Sequence, residues 1–125
     1  MPARKPEQLD ELFAEALNSG KLDALVALYE PQATLSPQPG QFVTGTNSIR
    51  EALSDFLAMK PKIKLTPRTL AVAGDIAFTS SKWELTGTAP DGNAVNMTGQ
   101  SAEIARLQPD GTWLFVIDSP WGLVG

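Results

Sequence analysis

The chain reads NMTGQSAEIARL from Asn96 to Leu107 and WLFVIDSPW from Trp113 to Trp121, with a Pro109-Asp110-Gly111 turn between the two segments. Both segments contain the residue types and alternation of strands, and the turn has the residue types that connect them. They predict one long β-hairpin. Two carboxylates, Glu103 and Asp118, occupy positions in it where apolar partners are expected, so any reaction of this protein is expected to use them.

The hairpin closes a strand-rich half of the chain. From Lys62 onward the apolar pattern has a period of two, which is typical of strands. The predicted strands are Ile63–Ala73, Ile76–Thr88, Ala94–Leu107 and Thr112–Asp118. Pro67 lacks a backbone donor, so it places the first of these strands at an edge or at a bulge. The basic residues near it, which discourage edge pairing, are Lys60, Lys62, Lys64 and Arg68.

Three amphipathic helices are predicted in the first half of the chain, at Pro6–Asn18, Lys21–Tyr29 and Ser48–Met59. Each shows a single apolar stripe with the helical spacing of three and four residues. Ser48 and Glu51 have the spacing of a capping box at the start of the third helix. Between the second and third helices, residues 32–43 contain Pro37 and Pro39, which leaves either a wide hairpin or an edge loop.

Helices followed by an antiparallel meander indicate an α+β fold with the helices on one face of the sheet. A length of 125 residues indicates a single domain, residues 1–125. Three apolar helix stripes need one apolar sheet face to pack against. Long curved strands that wrap around the helices would leave a hollow cone, and we expect a conical barrel with a strongly curved, mostly antiparallel sheet.

Composition excludes several kinds of site. The chain has no Cys and no His, so it can form neither a disulfide nor a Ser-His-Asp triad nor an imidazole zinc site. We expect no metal site and no cofactor. A net charge of −4 argues against a nucleic-acid partner. No apolar run has the length of a signal peptide core or a membrane helix, so we expect a cytoplasmic protein that does not enter membranes.

The hairpin carboxylates are the candidate catalytic residues. Glu103 shares a strand face with Met97 and Ser101, and Asp118 shares one with Val116, by strict alternation. A carboxyl group buried among apolar side chains has a raised pKa and can exchange protons near neutral pH. The competing interpretations are that Glu103 is an ionised residue at the pocket rim and that Asp118 caps the turn at Ser119-Pro120.

Seven further residues are predicted to line a ligand pocket beside these carboxylates: Tyr29, Phe56, Trp83, Met97, Ser101, Val116 and Trp121. For the aromatic residues among them, ordinary packing in the hydrophobic core is the competing interpretation. The expected ligand is a small hydrophobic molecule.

Four segments in sequence order carry a family resemblance: NSGKLDAL (Asn18–Leu25), LYEPQATL (Leu28–Leu35), GTNSIRE (Gly45–Glu51) and DGTW (Asp110–Trp113). Together they resemble the nuclear transport factor 2-like superfamily, in particular its SnoaL-like and ketosteroid-isomerase-like proteins. The resemblance implies a conical α+β barrel, a pocket between the helices and the concave sheet face, and a homodimer formed through the convex face. The last predicted strand is apolar on both sides, which also favours a second subunit.

The resemblance also tests particular mechanisms. Ketosteroid isomerases use a tyrosine on the first helix, an Asp base after the second helix and a protonated Asp on a strand. The matching residues here are Phe13, Pro37 and Glu103, so only one of the three roles is kept. SnoaL-like cyclases use a carboxylate acid/base, for which Asp118 is suited. Limonene epoxide hydrolase uses an Asp-Arg-Asp set, but here Arg106 is expected on the strand face opposite Glu103.

Three functions remain open from the sequence. The first is a cofactor-independent acid/base isomerase, cyclase or hydrolase acting on a small apolar carbonyl or epoxide compound. The second is a non-catalytic module that binds a small hydrophobic molecule. The third is a dimerisation domain with an incidental cavity.

Overall fold

The computed structural model describes residues 3–122, and these form three helices and seven strands. The helices are Pro6–Asn18 (α1), Leu22–Val26 (α2) and Thr46–Leu57 (α3). The strands are Tyr29–Leu35 (β1), Val43–Thr44 (β2), Lys62–Ala73 (β3), Ile76–Thr88 (β4), Ala94–Gln100 (β5), Ala102–Leu107 (β6) and Trp113–Ser119 (β7). No helix within these residues is long and apolar enough to cross a membrane.

The strands form one curved sheet in the order β2-β1-β7-β6-β4-β3, with β5 running on from β6 alongside β4. The pairings are antiparallel except that between β1 and β7, which is parallel. The sheet does not close between β2 and β3. Helix α1 packs on β3, β4 and β7, and α3 packs on α2, β1 and β2. The predicted α+β architecture, a cone with helices on its concave side, is confirmed.

The helix stripes become the hydrophobic core. Leu9 and Leu17 of α1, Leu25 of α2, Ile49 of α3 and Phe115 of β7 are each no more than 1% exposed. Burying an aliphatic side chain of this size stabilises a fold by roughly 1.5–3 kcal/mol. These contacts hold both long helices against the sheet, and they fix the side chains that face the space between the layers.

Two helix boundaries differ from the prediction. Helix α2 ends at Val26, and Tyr29 begins β1 because the backbone there pairs with β7 rather than continuing the helix. Helix α3 begins at Thr46, with Gly45 at its N-cap (φ 94°) and no side-chain cap. The predicted capping box of Ser48 and Glu51 is therefore wrong. The 32–43 region forms a hairpin, in which Thr34 pairs with Thr44.

Two strand details also differ. The predicted strand from Ala94 to Leu107 is interrupted at Ser101, although its register with β4 continues on both sides of the break. In β7 the pairing with β6 moves from Ile117 directly to Phe115, so a bulge falls at Val116. A bulge adds one residue and reverses the alternation of side chains beyond it. Pro67 is a residue of β3, which is an edge strand of the sheet. The predicted edge position for Pro67 is therefore confirmed.

Candidate functional site

A cavity of about 820 Å³ lies between α1, α3 and the concave face of the sheet. Its walls are mainly apolar. Of the pocket residues predicted from sequence, those that line it are Phe56, Trp83, Met97, Ser101 and Trp121, together with Glu103 and Asp118. A cavity of this size and character is typical of a small-molecule site.

The tryptophan wall is held by specific contacts. The rings of Trp83 and Trp121 meet edge to face, with centroids 5.6 Å apart. Trp83 also donates its indole N–H to the carbonyl of Pro120 at 2.7 Å. Its ring lies over Gly99, where an added Cβ would fall 2.4 Å from the Trp83 Cζ2 atom. The absence of a side chain at Gly99 therefore gives Trp83 its place in the wall.

Three carboxyl groups lie buried along the cavity. Asp10 comes from α1, Glu103 from β6 and Asp118 from β7, and they are 4%, 2% and 6% exposed. Glu103 pairs directly opposite Asp118 in the β6–β7 ladder. Helix α1 crosses the sheet at this point and adds Asp10. The fold thus brings together acidic side chains that lie far apart in sequence.

Asp10 and Glu103 share a hydrogen bond. Burial is the largest cause that raises the pKa of each carboxyl, and the neighbouring acidic group raises the pKa of Glu103 further. Thr79 also donates its hydroxyl to Glu103 Oε1 at 3.0 Å. Two carboxyl groups in contact cannot both be ionised at low cost. The pair therefore holds one shared proton at neutral pH.

Asp118 has a different environment. Tyr29 donates its hydroxyl to Asp118 Oδ2 at 2.5 Å, and both residues are buried. Burial, and then the charge of Glu103, raise the pKa of Asp118 to about 7, while the hydrogen bond from Tyr29 lowers it. A group with a pKa close to ambient pH can accept and return a proton.

Asp10 was not predicted from the sequence. Yet it lies three residues before Phe13 and seven before Leu17, which is the spacing of one helix face. That face is buried. An acidic residue that lies alone in the apolar stripe of an amphipathic helix is the feature from which Asp10 could have been predicted as a site residue.

Two predicted pocket residues lie elsewhere. Val116 does not line the cavity, because the bulge in β7 places Phe115 on the inner face with Asp118. The interpretation from strict alternation was wrong at this residue. Tyr29 lies behind Asp118, buried and 5.2 Å from Phe115 between ring centroids, and it reaches the site only through its hydrogen bond.

The residues that match catalytic positions of ketosteroid isomerases and of limonene epoxide hydrolase do not form those sites here. Phe13 and Pro37 both line the cavity, where neither offers a hydroxyl or a carboxylate. Arg106 bonds Glu30 Oε2 at 3.0 Å, away from Glu103 and Asp118. The Asp-Arg-Asp set of an epoxide hydrolase is not assembled.

The charged lining of the cavity is acidic throughout. Glu51 and Asp55, exposed residues of α3, line it near the solvent. Among the described residues that line the cavity, none is Lys or Arg. No group of three or more potential ligand side chains within residues 3–122 is arranged to hold a metal ion.

Comparison with known proteins identifies related domains. A family model described as a SnoaL-like domain matches residues 9–116. A structure from Novosphingobium aromaticivorans, of a protein proposed to be an aromatic ring hydroxylase, is similar with a TM-score of 0.83 at 20% identity, covering 96% of this chain and 87% of that one.

Two other solved structures are similar at the same level. A nuclear transport factor 2-like superfamily protein from Salmonella enterica has a TM-score of 0.80 at 18% identity, covering 91% of this chain and 85% of that one. A ketosteroid isomerase-like protein from Erwinia carotovora has a TM-score of 0.77 at 20% identity, covering 90% and 88%. At such low identity these structures show the fold and leave the activity open.

Proposed function

This chain belongs to the SnoaL-like domain family, and we propose that it catalyses proton transfer on a small, mostly apolar molecule without a cofactor. The observation that carries this proposal is the set of buried carboxyl groups along an apolar cavity. Carboxyl groups with raised pKa values, placed where a ligand can reach them, are common in acid/base enzymes.

The two hairpin carboxyl groups suit different roles. Asp118, with a pKa raised to about 7, is partly ionised at neutral pH and serves as the base. Glu103, whose pKa is raised by burial and by the neighbouring Asp10, keeps a proton at neutral pH and serves as a hydrogen-bond donor or acid. Environments that push two carboxyl pKa values apart separate the acid and base roles.

Tyr29 is a positioning residue in this proposal. Its hydroxyl fixes Asp118 Oδ2 and leaves Oδ1 for the substrate. The hydrogen bond also favours the ionised form of Asp118, which is the form that removes a proton.

Exchange of carbon-bound hydrogen tests this proposal without knowledge of the natural substrate. A panel of cyclic apolar ketones is incubated with the protein in D2O, and loss of the α-proton signal is followed by NMR. We expect exchange above the buffer rate for part of the panel, and its loss in Asp118→Asn. Glu15→Gln, an exposed change on α1, is the matched control.

Exchange that persists unchanged in both Asp118→Asn and Glu103→Gln would overturn the proposal. So would a panel in which no ketone exchanges faster than in buffer, provided the same ketones are shown to bind.

A second candidate is a binding module for a small hydrophobic molecule. It is favoured by Phe13 and Pro37, which line the cavity at the positions where an isomerase would have its tyrosine and its base. Saturable binding with no proton exchange, together with equal affinity in Asp118→Asn, is the result that distinguishes this function.

A further inference from the structure

A row of three polar side chains crosses the sheet at the buried carboxyl groups. Thr79 of β4 pairs directly with Glu103 of β6, and Glu103 pairs directly with Asp118 of β7. Side chains of directly paired residues project from the same face of a sheet, and neighbouring strands lie about 4.8 Å apart. The Glu103 carboxyl therefore lies between a hydroxyl on one side and a second carboxyl on the other.

Glu103 bonds one of these two neighbours and not the other. Thr79 donates its hydroxyl to Glu103 Oε1 at 3.0 Å. Asp118 accepts a hydrogen bond from Tyr29, and in the described part of the chain it makes none with Glu103, its direct neighbour in the ladder. Neighbouring carboxyl groups readily share a proton, as Glu103 and Asp10 do. The bond from Thr79 holds the Glu103 carboxyl toward β4 and away from Asp118.

The two hairpin carboxyl groups are held in the same way. Tyr29 of β1 occupies Asp118 Oδ2, and Thr79 of β4 occupies Glu103 Oε1. In each case a buried hydroxyl from a neighbouring strand binds one carboxyl oxygen and leaves the other oxygen for a proton or a ligand. Strands β1 and β4 flank the β7–β6 hairpin on opposite sides, so the two hydroxyls draw the carboxyl groups apart.

Thr79 is placed to act only through Glu103. It is 1% exposed and does not line the cavity, whereas Glu103 does. A hydrogen bond in such a poorly solvated place is stronger than one in water. Threonine is also branched at Cβ, which restricts its rotamers and gives the hydroxyl a defined direction. A buried donor of this kind can orient Glu103 without touching a ligand.

We propose that Thr79 is a positioning residue of this site, whose hydroxyl keeps the acid Glu103 separate from the base Asp118. The inference rests on the proposed function, because it needs Glu103 as the acid. Without the Thr79 bond, Glu103 Oε1 loses its donor and the carboxyl is free to turn toward Asp118. The acid then no longer faces the ligand in one fixed orientation.

The titratable groups that face Glu103 come from three other elements: Asp10 on α1, Tyr29 on β1 and Asp118 on β7. Burial is the largest cause that raises the pKa of Glu103, and the charge of Asp10 raises that pKa further. The hydroxyls of Ser101 and Thr79 lower the pKa of Glu103. Loss of the Thr79 hydroxyl should therefore raise it.

The pH profile of the proposed reaction should record this change. The reaction needs Asp118 ionised and Glu103 protonated, so its rate falls at low pH because of Asp118 and at high pH because of Glu103. A change at Thr79 that acts through Glu103 moves the basic limb to still higher pH. A variant that only loosens the fold lowers the rate at every pH alike.

Variants of Thr79 separate these two effects. Thr79→Val removes the hydroxyl at nearly constant size, and Thr79→Ser keeps the hydroxyl. Thr86→Val, an exposed change on the same strand, is the matched control. Circular dichroism verifies that each variant is folded, and Thr79→Ala gives the same comparison if Thr79→Val does not fold.

Two measurements are made on each full-length variant. Carbon-13 NMR follows the titration of the Glu103 carboxyl without any ligand, and the ketone exchange in D2O gives the pH profile. In Thr79→Val we expect the Glu103 titration and the basic limb both to move to higher pH. We also expect the maximal exchange rate to fall about tenfold, the size of one lost hydrogen bond to a charged group. Thr79→Ser should restore both properties.

An unchanged Glu103 titration in Thr79→Val would overturn the inference, and so would a basic limb that stays in place. An equal loss of rate in Thr79→Val and Thr79→Ser would indicate a purely structural role and overturn it as well. Normal exchange by the wild type together with any of these results contradicts the inference alone. If the wild type exchanges no ketone that it binds, the proposed function fails, and the role of Thr79 in the reaction fails with it.

Discussion

The buried carboxyl groups give the protein an unusual dependence of stability on pH. Asp118 has a pKa near 3.8 when unfolded and about 7 when folded. Between these values the folded state binds more protons than the unfolded state, so the free energy of unfolding falls as pH rises. The pKa values of Asp10 and Glu103 are raised in the same direction and extend this window upward.

We therefore predict that the free energy of unfolding decreases by roughly 2–4 kcal/mol between pH 5 and pH 9. Urea denaturation at pH 5, 7 and 9 measures it. Asp118→Asn should reduce the dependence, since the amide does not titrate while Asp10 and Glu103 still do, whereas Glu15→Gln should keep it in full. A stability that is constant or rises over this range would show that these carboxyl groups ionise normally.

Removal of the Tyr29 hydroxyl should raise the pKa of Asp118 further, because its hydrogen bond favours the ionised carboxylate. In Tyr29→Phe we predict that the acidic limb of the exchange rate moves to higher pH, while the rate at high pH is less affected. The pH profile of ketone exchange measures this. A uniform loss of rate at every pH would indicate a purely structural role for Tyr29.

Asp10 is the buried carboxyl group of the cavity that was not predicted from the sequence. The apolar stripe of α1 was predicted to pack against the sheet, but Asp10, which lies beside that stripe, was not identified as a site residue. Its burial depends on the packing of α1 against β3, β4 and β7, a tertiary contact that helical spacing does not describe. Glu103 and Asp118 could be predicted because they interrupt strongly apolar strands.

At the scale of elements, periodicity predicted α1 and β4 with the observed bounds, since long regular segments have strong patterns. It failed where backbone pairing changes the register. Because of the bulge in β7, Phe115 rather than Val116 faces the cavity. Tyr29 was predicted to end α2, but it lies in β1, which pairs in parallel with β7. Neither event leaves a distinctive signal in the residues themselves.

The strand β5 determines the tryptophan wall. In Gly99→Ala the new methyl group would fall 2.4 Å from Trp83 Cζ2 and 2.7 Å from Cε2, so the ring must move. We predict a loss of about 1–3 kcal/mol in the free energy of unfolding and a changed tryptophan fluorescence spectrum. Thr98→Ala, an exposed change on the same strand, is the control. An unchanged spectrum and stability in Gly99→Ala would contradict this packing.

At the scale of the whole molecule, the outer face of the sheet has an apolar row. Phe78, Ile104 and Ile117 pair in register across β4, β6 and β7, and Phe78 and Ile117 are 41% and 43% exposed. Apolar residues grouped in this way commonly mark an interface. We propose that a second copy of the chain covers this row and forms a homodimer.

Light scattering after size-exclusion chromatography should accordingly give the mass of two chains. Ile117→Lys, which places a charge in the row without disturbing the core, should shift the equilibrium toward monomer. Ala24→Lys on the exposed side of α2 should leave it unchanged. A wild-type monomer at micromolar concentration would rule out this interface.

In the proposed function, carboxyl groups in the cavity hold protons at neutral pH and exchange them with a ligand. Carbon-13 NMR of the Asp and Glu side-chain carboxyls, followed from pH 4 to pH 10 and assigned with Asp10→Asn, Glu103→Gln and Asp118→Asn, measures this directly. We predict that Asp118 titrates at about 7, and that Asp10 and Glu103 titrate as a coupled pair well above the ordinary carboxyl range. Titration of all three near pH 4 would contradict the account.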